Sequence, residues 1–298
     1  MHLVTYTRPD GQQVPRLGVL DETGQAITDL ADAVPGVPGT MLGLIQDGPS
    51  ALAALREALT TDRERIALAD VRLLAPIPRP PRNIFCVGKN YREHAAEVSA
   101  AGQGLWGDSD EPTVPIIFTK ATSSVIGPGK AIPRSLDPTD SVDYEGELAV
   151  VIGPGARGIA KAQAMEHVFG YTILNDATSR RLQKEHQQWF IGKSLDGFCP
   201  MGPALVTRDE VPDVTALRVQ TRVNGELRQD GSLADLIFDI PTLIETLSRT
   251  MTLEPGDIIA TGTPAGVGMG FKPPRYLAAG ERVAITIEPI GTLENPVD

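Results

Sequence analysis

The residues best suited to chemistry lie in Asp143-Tyr-Glu145-Gly-Glu147, which runs straight into the apolar stretch Leu-Ala-Val-Val-Ile152. That stretch is β-prone and closes on Gly153-Pro-Gly, so it reads as a buried strand. Side chains alternate across a strand, which puts Glu145 and Glu147 on one face beside a core. Two carboxylates held that close repel unless a cation neutralises them. Mg2+ or Mn2+ suits the task, since both prefer carboxylate oxygens and leave coordination positions for water or substrate. A third carboxylate, Asp176, ends the hydrophobic run Tyr171-Thr-Ile-Leu-Asn-Asp176, where a polar helical turn from Thr178 to Gln183 begins. A solvated strand edge would explain a lone Glu-x-Glu. The apolar continuation and the second carboxylate-ended strand favour a metal site at Glu145, Glu147 and Asp176. Zinc fits poorly, because His2, His94, His167 and His186 show no zinc-ligand spacing.

An acid–base pair is available in Tyr91-Arg-Glu-His94-Ala-Ala-Glu97. Three residues apart on a helix, His94 and Glu97 share a face, so the carboxylate can fix the imidazole tautomer and raise its basicity. That suits a general base; an incidental pair on an exposed helix is the competing reading of the same spacing. Lys120, at the end of Ile116 to Thr119, and Lys193, in Phe190-Ile-Gly-Lys193, are cations among apolar residues, which suggests a substrate carboxylate nearby; lysines that snorkel from strand ends to water are the competing reading. The turn Gly262-Thr-Pro-Ala-Gly-Val-Gly268 has backbone N–H groups that could hold a carboxylate or oxyanion, with a purely structural turn as the competing reading. It lacks the Gly-Lys-Ser/Thr of a Walker loop and opens no evident helix, so nucleotide binding is excluded.

Strands must position most of these groups. From residue 115 onward they are expected at Ile116 to Thr119, Leu148 to Ile152, Tyr171 to Leu174, Leu217 to Val223, Asp257 to Thr261 and Arg282 to Ile287, with turns at Asn224-Gly225 and Glu254-Pro-Gly-Asp257. Helices are expected around Ala162 to Val168 and Pro241 to Thr250. Upstream, Asn83 to Val87 reads as a strand, Tyr91 to Ala100 as a helix, and 101–112 as a loose segment able to act as a lid. Residues 1–75 alternate short apolar runs with turns and carry a helical pattern at Ala51 to Leu59, giving a small N-terminal α/β domain. The proline-rich stretch 76–82 is a connector, and 83–298 is the catalytic domain.

The 298 residues, 41% hydrophobic and 22% charged, are enough for one large core or a large and a small one. A formal charge of -11 speaks against nucleic-acid or anionic-membrane partners, which need a concentrated basic surface. The start carries no secretory pattern and no apolar run approaches the roughly 20 residues of a membrane span, so a cytoplasmic protein is expected. Cys86 and Cys199 are far apart without metal-type spacing and read as buried thiols.

Taken in order, Phe85-Cys-Val-Gly-Lys-Asn-Tyr-Arg-Glu-His94, Ile117-Phe-Thr-Lys120, Asp143 to Ile152, Gly170 to Asp176, Gly192-Lys-Ser-Leu-Asp-Gly-Phe-Cys-Pro-Met-Gly-Pro203 and Leu253 to Gly268 resemble the fumarylacetoacetate hydrolase superfamily, from about Asn83 to Pro289. The resemblance implies an α+β, predominantly β fold: a mixed β-roll catalytic domain, usually in a homodimer. It implies Mg2+ or Mn2+ at Glu145, Glu147 and Asp176, and a catalytic His94/Glu97 pair on a lid that orders over substrate. It further implies that Arg180, Gln183 and Lys193 position substrate or water, with Lys120 and Thr263 lining the pocket. Many relatives carry an acidic residue after the arginine matching Arg180, whereas this chain has Arg181, which opens the question of local ion pairing.

The reaction expected from this set is hydrolysis of an acylpyruvate-like 2,4-dioxo acid. The substrate would chelate the cation, His94 would activate the attacking water, and Lys193 would steady the pyruvate enolate. Oxaloacetate decarboxylation needs the same enolate without the water, and hydration, isomerisation or diketo sugar-acid cleavage use related substrates. A non-catalytic binding or regulatory protein is the alternative from another class, and retention of the whole set of reactive residues argues against it.

Overall fold

The computed structural model describes every residue except 10–13, 31–33, 35, 36, 62, 64 and 101–110. The expected lid at 101–112 therefore falls mainly outside the described residues. The fold is mixed α and β with β dominant, built among the described residues from a 12-stranded, a 4-stranded and a 2-stranded sheet.

Strand Gly146–Ile152 explains the layering. All seven of its residues are buried, with Leu148, Val150 and Ile152 in one apolar cluster and Ala149 and Val151 in another. A strand that is apolar on both faces must be covered on both. On one side lies the 4-stranded sheet, ordered Glu226–Ser232, Arg218–Val223, Arg282–Ile287 and Gly291–Pro296. On the other, helix Met41–Ala58 contributes Leu44, Ile45 and Leu55. Glu145 and Glu147 share the parity of Ala149 and Val151, so they emerge on the side away from the small sheet.

Within the large sheet, Gly146–Ile152 lies between Val168–Asn175 and Ile258–Ala260, followed by Ile84–Gly88 and Ile116–Lys120. On the far side of Val168–Asn175 comes Cys199–Thr207, then the N-terminal strands His2–Thr7, Arg16–Leu20, Ala26–Asp29 and Arg65–Ala67. The N-terminal strands thus continue the same sheet, with Leu3 opposite Leu205.

Several sequence expectations change in detail. Cys199–Thr207 is a central strand that alternation did not suggest, because Pro200 and Pro203 interrupt the run. The ladder accommodates them by an irregularity, as Tyr171 faces Val206 while Ile173 faces Gly202. The helix expected at Ala51 to Leu59 is the second half of Met41–Ala58, which kinks where Gly48 takes φ 67° ahead of Pro49. The segment Lys161–His167 is a 3-10 rather than an α-helix. The Asn224-Gly225 turn closes a hairpin between Arg218–Val223 and Glu226–Ser232, both turn residues at positive φ.

Candidate active site

The strands bring Glu145, Glu147 and Asp176 together: one carboxylate oxygen from each lies within 4.8 Å of the others, and all three residues are buried. Register produces this meeting, since Gly146 is paired with Asn175 and the Asp176 N–H donates to the Glu145 carbonyl at 2.8 Å. Asn175 adds its side-chain oxygen, which accepts from Glu145 N at 3.0 Å.

Buried charges need partners, and most of these have them. Lys193 Nζ donates to Glu145 Oε2 and Asp176 Oδ2, each at 2.7 Å. Lys120 Nζ donates to Asp176 Oδ1 at 2.7 Å, and also to the carbonyls of Ala177 and Lys193. Arg180 reaches Glu145 Oε1 at 2.6 Å and Asp143 Oδ2 at 2.8 Å. Burial works to raise the Glu145 carboxyl, but Lys193, Arg180 and His94 outweigh it and hold the group well below the usual carboxylate range. Burial likewise works against charge on Lys193, and Asp176 and Glu145 overcome it.

Glu147 differs. Among the described residues it forms no ion pair, and its Oε2 accepts one bond, from Gly262 N at 2.7 Å. Burial, with Asp176 and Glu145 beside it, pushes its carboxyl well above the ordinary value. Asp143, Glu145 and Asp176 each pair with Lys120, Arg180 or Lys193, and Glu147 is the one carboxyl of this set without a cationic partner among the described residues. A hard cation among these oxygens would supply the missing charge, so the donor set fits Mg2+ or Mn2+.

The acid–base pair faces this cluster. On helix Arg92–Ala100, His94 Nδ1 meets Glu97 Oε2 at 3.0 Å, and Glu97 Oε1 accepts from Gly266 N at 3.0 Å. A carboxylate at Nδ1 fixes the proton there and leaves Nε2 as the base. His94, Glu145, Glu147, Arg180, Gln183, Lys193 and Thr263 all line one cavity of about 40 Å³. Lys120 is not in that wall; it sits behind Asp176 with its donors taken up by the protein. Arg180 Nη2 is buried with no hydrogen-bond partner, and Arg181 points outward, its backbone N–H donating to Ser141 Oγ at 3.0 Å.

The glycine-rich turn binds carboxylates, and they are the protein's own: Gly262 N serves Glu147, Gly266 N serves Glu97, and Gly268 N and Met269 N serve Asp143. Asp143 and Gln229 were not singled out from sequence. Asp143 opens the carboxylate motif, so its position was a usable signal; Gln229 lies 83 residues from its partner Gly146 and left none.

A buried acidic centre faced by a histidine–carboxylate pair, on a β-rich scaffold, is an arrangement suited to an enzyme. The family model described as fumarylacetoacetate (FAA) hydrolase C-terminal matches residues 83–298, and the chain belongs to that family. The oxaloacetate tautomerase YisK of Bacillus subtilis (strain 168) is 50% identical over 269 residues, 88% of this chain and 87% of that protein. Among solved structures, a fumarylacetoacetate hydrolase from psychrophilic Exiguobacterium antarcticum is 45% identical with TM-score 0.82, covering 100% of this chain and 99% of that one. The maleylpyruvate hydrolase of Sphingobium sp. SYK-6, in complex with manganese (II) ion and pyruvate, is 33% identical with TM-score 0.80, covering 100% and 98%.

Proposed function

We propose that the chain is a divalent-metal-dependent enzyme that moves a proton beside the carbonyl of a small 2-oxo acid, with keto–enol interconversion of oxaloacetate as its reaction. The observation that carries this reading is the placement of His94, oriented by Glu97, in the wall of the cavity that Glu145 and Glu147 also line. The half-identical oxaloacetate tautomerase supports the choice of substrate.

A divalent cation held by Glu145, Glu147 and Asp176 would polarise the 2-oxo group and so acidify the adjacent C–H. His94 Nε2 takes that proton from the substrate carbon; the electron pair of the broken C–H bond becomes the C=C π bond of the enol while the carbonyl π pair moves onto the oxygen. The imidazolium, steadied by Glu97, then returns a proton to oxygen, or to carbon in the reverse direction. Arg180, whose buried Nη2 has no protein partner, takes a substrate carboxylate, and the amide of Gln183 flanks it. Lys193 keeps the carboxylates in place and holds positive charge beside the developing oxyanion.

Hydrolysis of a 2,4-dioxo acid is the second reading, favoured by the likeness to the maleylpyruvate hydrolase with bound manganese and pyruvate. It needs a water activated by the same His94. The test follows the near-ultraviolet absorbance of enol-oxaloacetate, in parallel with pyruvate release from oxaloacetate and from an acylpyruvate. Purified protein is assayed with Mn2+, with Mg2+ and with chelator. Accelerated enol loss, abolished by chelator and reduced about 10²- to 10⁴-fold in His94→Ala, is the expected result. Faster acylpyruvate cleavage would install the hydrolase instead, and metal-independent turnover would sink both.

A further inference from the structure

We propose that Gln229 is a positioning residue for the acidic centre: with Thr263 it closes a ring of hydrogen bonds on the peptide groups of Gly146, and so sets the separation of Glu145 and Glu147. The proposal rests on the metal-site reading above. Gly146 N donates to Gln229 Oε1 at 3.0 Å, Gln229 Nε2 donates to Thr263 Oγ1 at 2.8 Å, and Thr263 Oγ1 donates to Gly146 O at 2.9 Å. Each member is buried, Gln229 at 1% and Thr263 at 2% exposure. The second Nε2 proton goes to Pro264 O at 2.7 Å, so the side-chain amide has one orientation.

The polarity of the ring has a chemical consequence. Because Thr263 Oγ1 accepts from Gln229, its own proton is committed to Gly146 O. Thr263, although it lines the wall, therefore has no hydroxyl proton left to donate to a ligand in the cavity. Donors and acceptors arranged head to tail also reinforce one another in a low-dielectric interior.

Gly146 is where a small displacement matters most, since it sits between the two glutamates. A Cβ there would lie 2.3 Å from Thr221 Oγ1 and 3.1 Å from Ile285 Cγ2. The absence of a side chain lets strands Arg218–Val223 and Glu226–Ser232 come close enough for Gln229 to reach the main chain. On its other edge, the chain at this point is held by Asn175 Oδ1 to Glu145 N and by Asp176 N to Glu145 O. Gln229 and Thr263 thus supply the opposite clamp, and Gly262, next in the chain to Thr263, holds the Glu147 carboxylate.

The experiment titrates Mn2+ against the purified full chain by the paramagnetic resonance signal of the free ion, with thermal melting in chelator as a check of folding. Gln229→Met, which keeps length and loses the two ring hydrogen bonds that Gln229 makes while leaving that of Thr263 to Gly146 O, weakens Mn2+ binding by about ten- to a hundredfold. Thr263→Val does the same, whereas Thr263→Ser, which preserves the ring, binds as the wild type does. Wild-type affinity in both a folded Gln229→Met and Thr263→Val would overturn the positioning role. If Gln229→Met does not fold, the valine and serine variants decide, and equal affinity in those two overturns it. A wild-type chain that binds no Mn2+ removes the metal reading itself, an outcome distinct from unchanged variants.

Discussion

At the scale of single residues, the site is an exercise in charge pairing. Lys193 shares its ammonium between Glu145 and Asp176, and Arg180 shares its guanidinium between Glu145 and Asp143. In Glu145→Gln each cation therefore keeps one carboxylate. In Asp176→Asn, Lys120 loses the only carboxylate it pairs with among the described residues and retains two carbonyls. We expect both variants to lose metal-dependent turnover. Asp176→Asn should be the less stable, by about 3 to 5 kcal/mol relative to wild type, the usual cost of an orphaned buried charge. Urea denaturation of the two proteins in chelator checks the order, and equal midpoints would refute it. The His94/Glu97 spacing put both residues on one helix face and left an incidental exposed pair open; the 3.0 Å contact and the burial of His94 are seen in the folded chain.

At the scale of elements, the short strand Thr178–Ser179 and the helix Arg180–Glu185 that follows it are tied to the 137–141 turn. Asp137 accepts from Thr139 N, Thr139 Oγ1, Ser141 N and Ser179 Oγ at 2.6 to 3.0 Å. Burial opposes its charge, but the donors of Thr139, Ser141 and Ser179 prevail and hold the carboxyl below its ordinary value. A carboxyl depressed in the fold stabilises it above the unfolded pKa, near 3.9, and that contribution disappears as pH falls through the folded value. Asp137→Asn should melt below wild type at pH 7, with the gap full above about pH 5 and closing below about pH 4. A gap unchanged at pH 3 would show that lost packing, not charge, is responsible. Element prediction itself succeeded where a continuous β-prone apolar run decides, as at Leu148 to Ile152, within the strand Gly146–Ile152. It failed at Cys199–Thr207, where two prolines mask a strand that its neighbours hold in place.

At the scale of the whole molecule, the N-terminal strands and the matched region 83–298 share one sheet and one apolar cluster, in which Leu3, Leu17 and Leu44 join Ile84, Ala149 and Leu205. Removing residues 1–75 would strip the partner from the edge of Cys199–Thr207 and expose that cluster, and such edges pair with other chains. We expect a chain starting at residue 76 to be recovered as aggregate on size-exclusion chromatography; a folded, monodisperse fragment would establish 76–298 as an independent unit. Bound Mn2+ should raise the melting temperature of the intact chain in a concentration-dependent way, because a ligand that binds only the folded state stabilises it by mass action. No helix among the described residues is long and apolar enough to cross a membrane.

The sequence by itself determined what is local. A period of two put Glu145 and Glu147 on one face, a spacing of three put His94 and Glu97 on one helix face, and an apolar run ending in Asp176 marked a second carboxylate-bearing strand. Tertiary structure alone decided what neutralises them. Lys120 and Asp176 are 56 residues apart, and Gln229 and Gly146 are 83 apart; no periodicity spans such distances, because the contacts arise from sheet register and from the packing of one sheet on another. The same holds for the glycine-rich turn. Its composition announced free N–H groups able to hold carboxylates, and only the folded chain reveals that those carboxylates are Glu147, Glu97 and Asp143, brought to the turn by three separate elements.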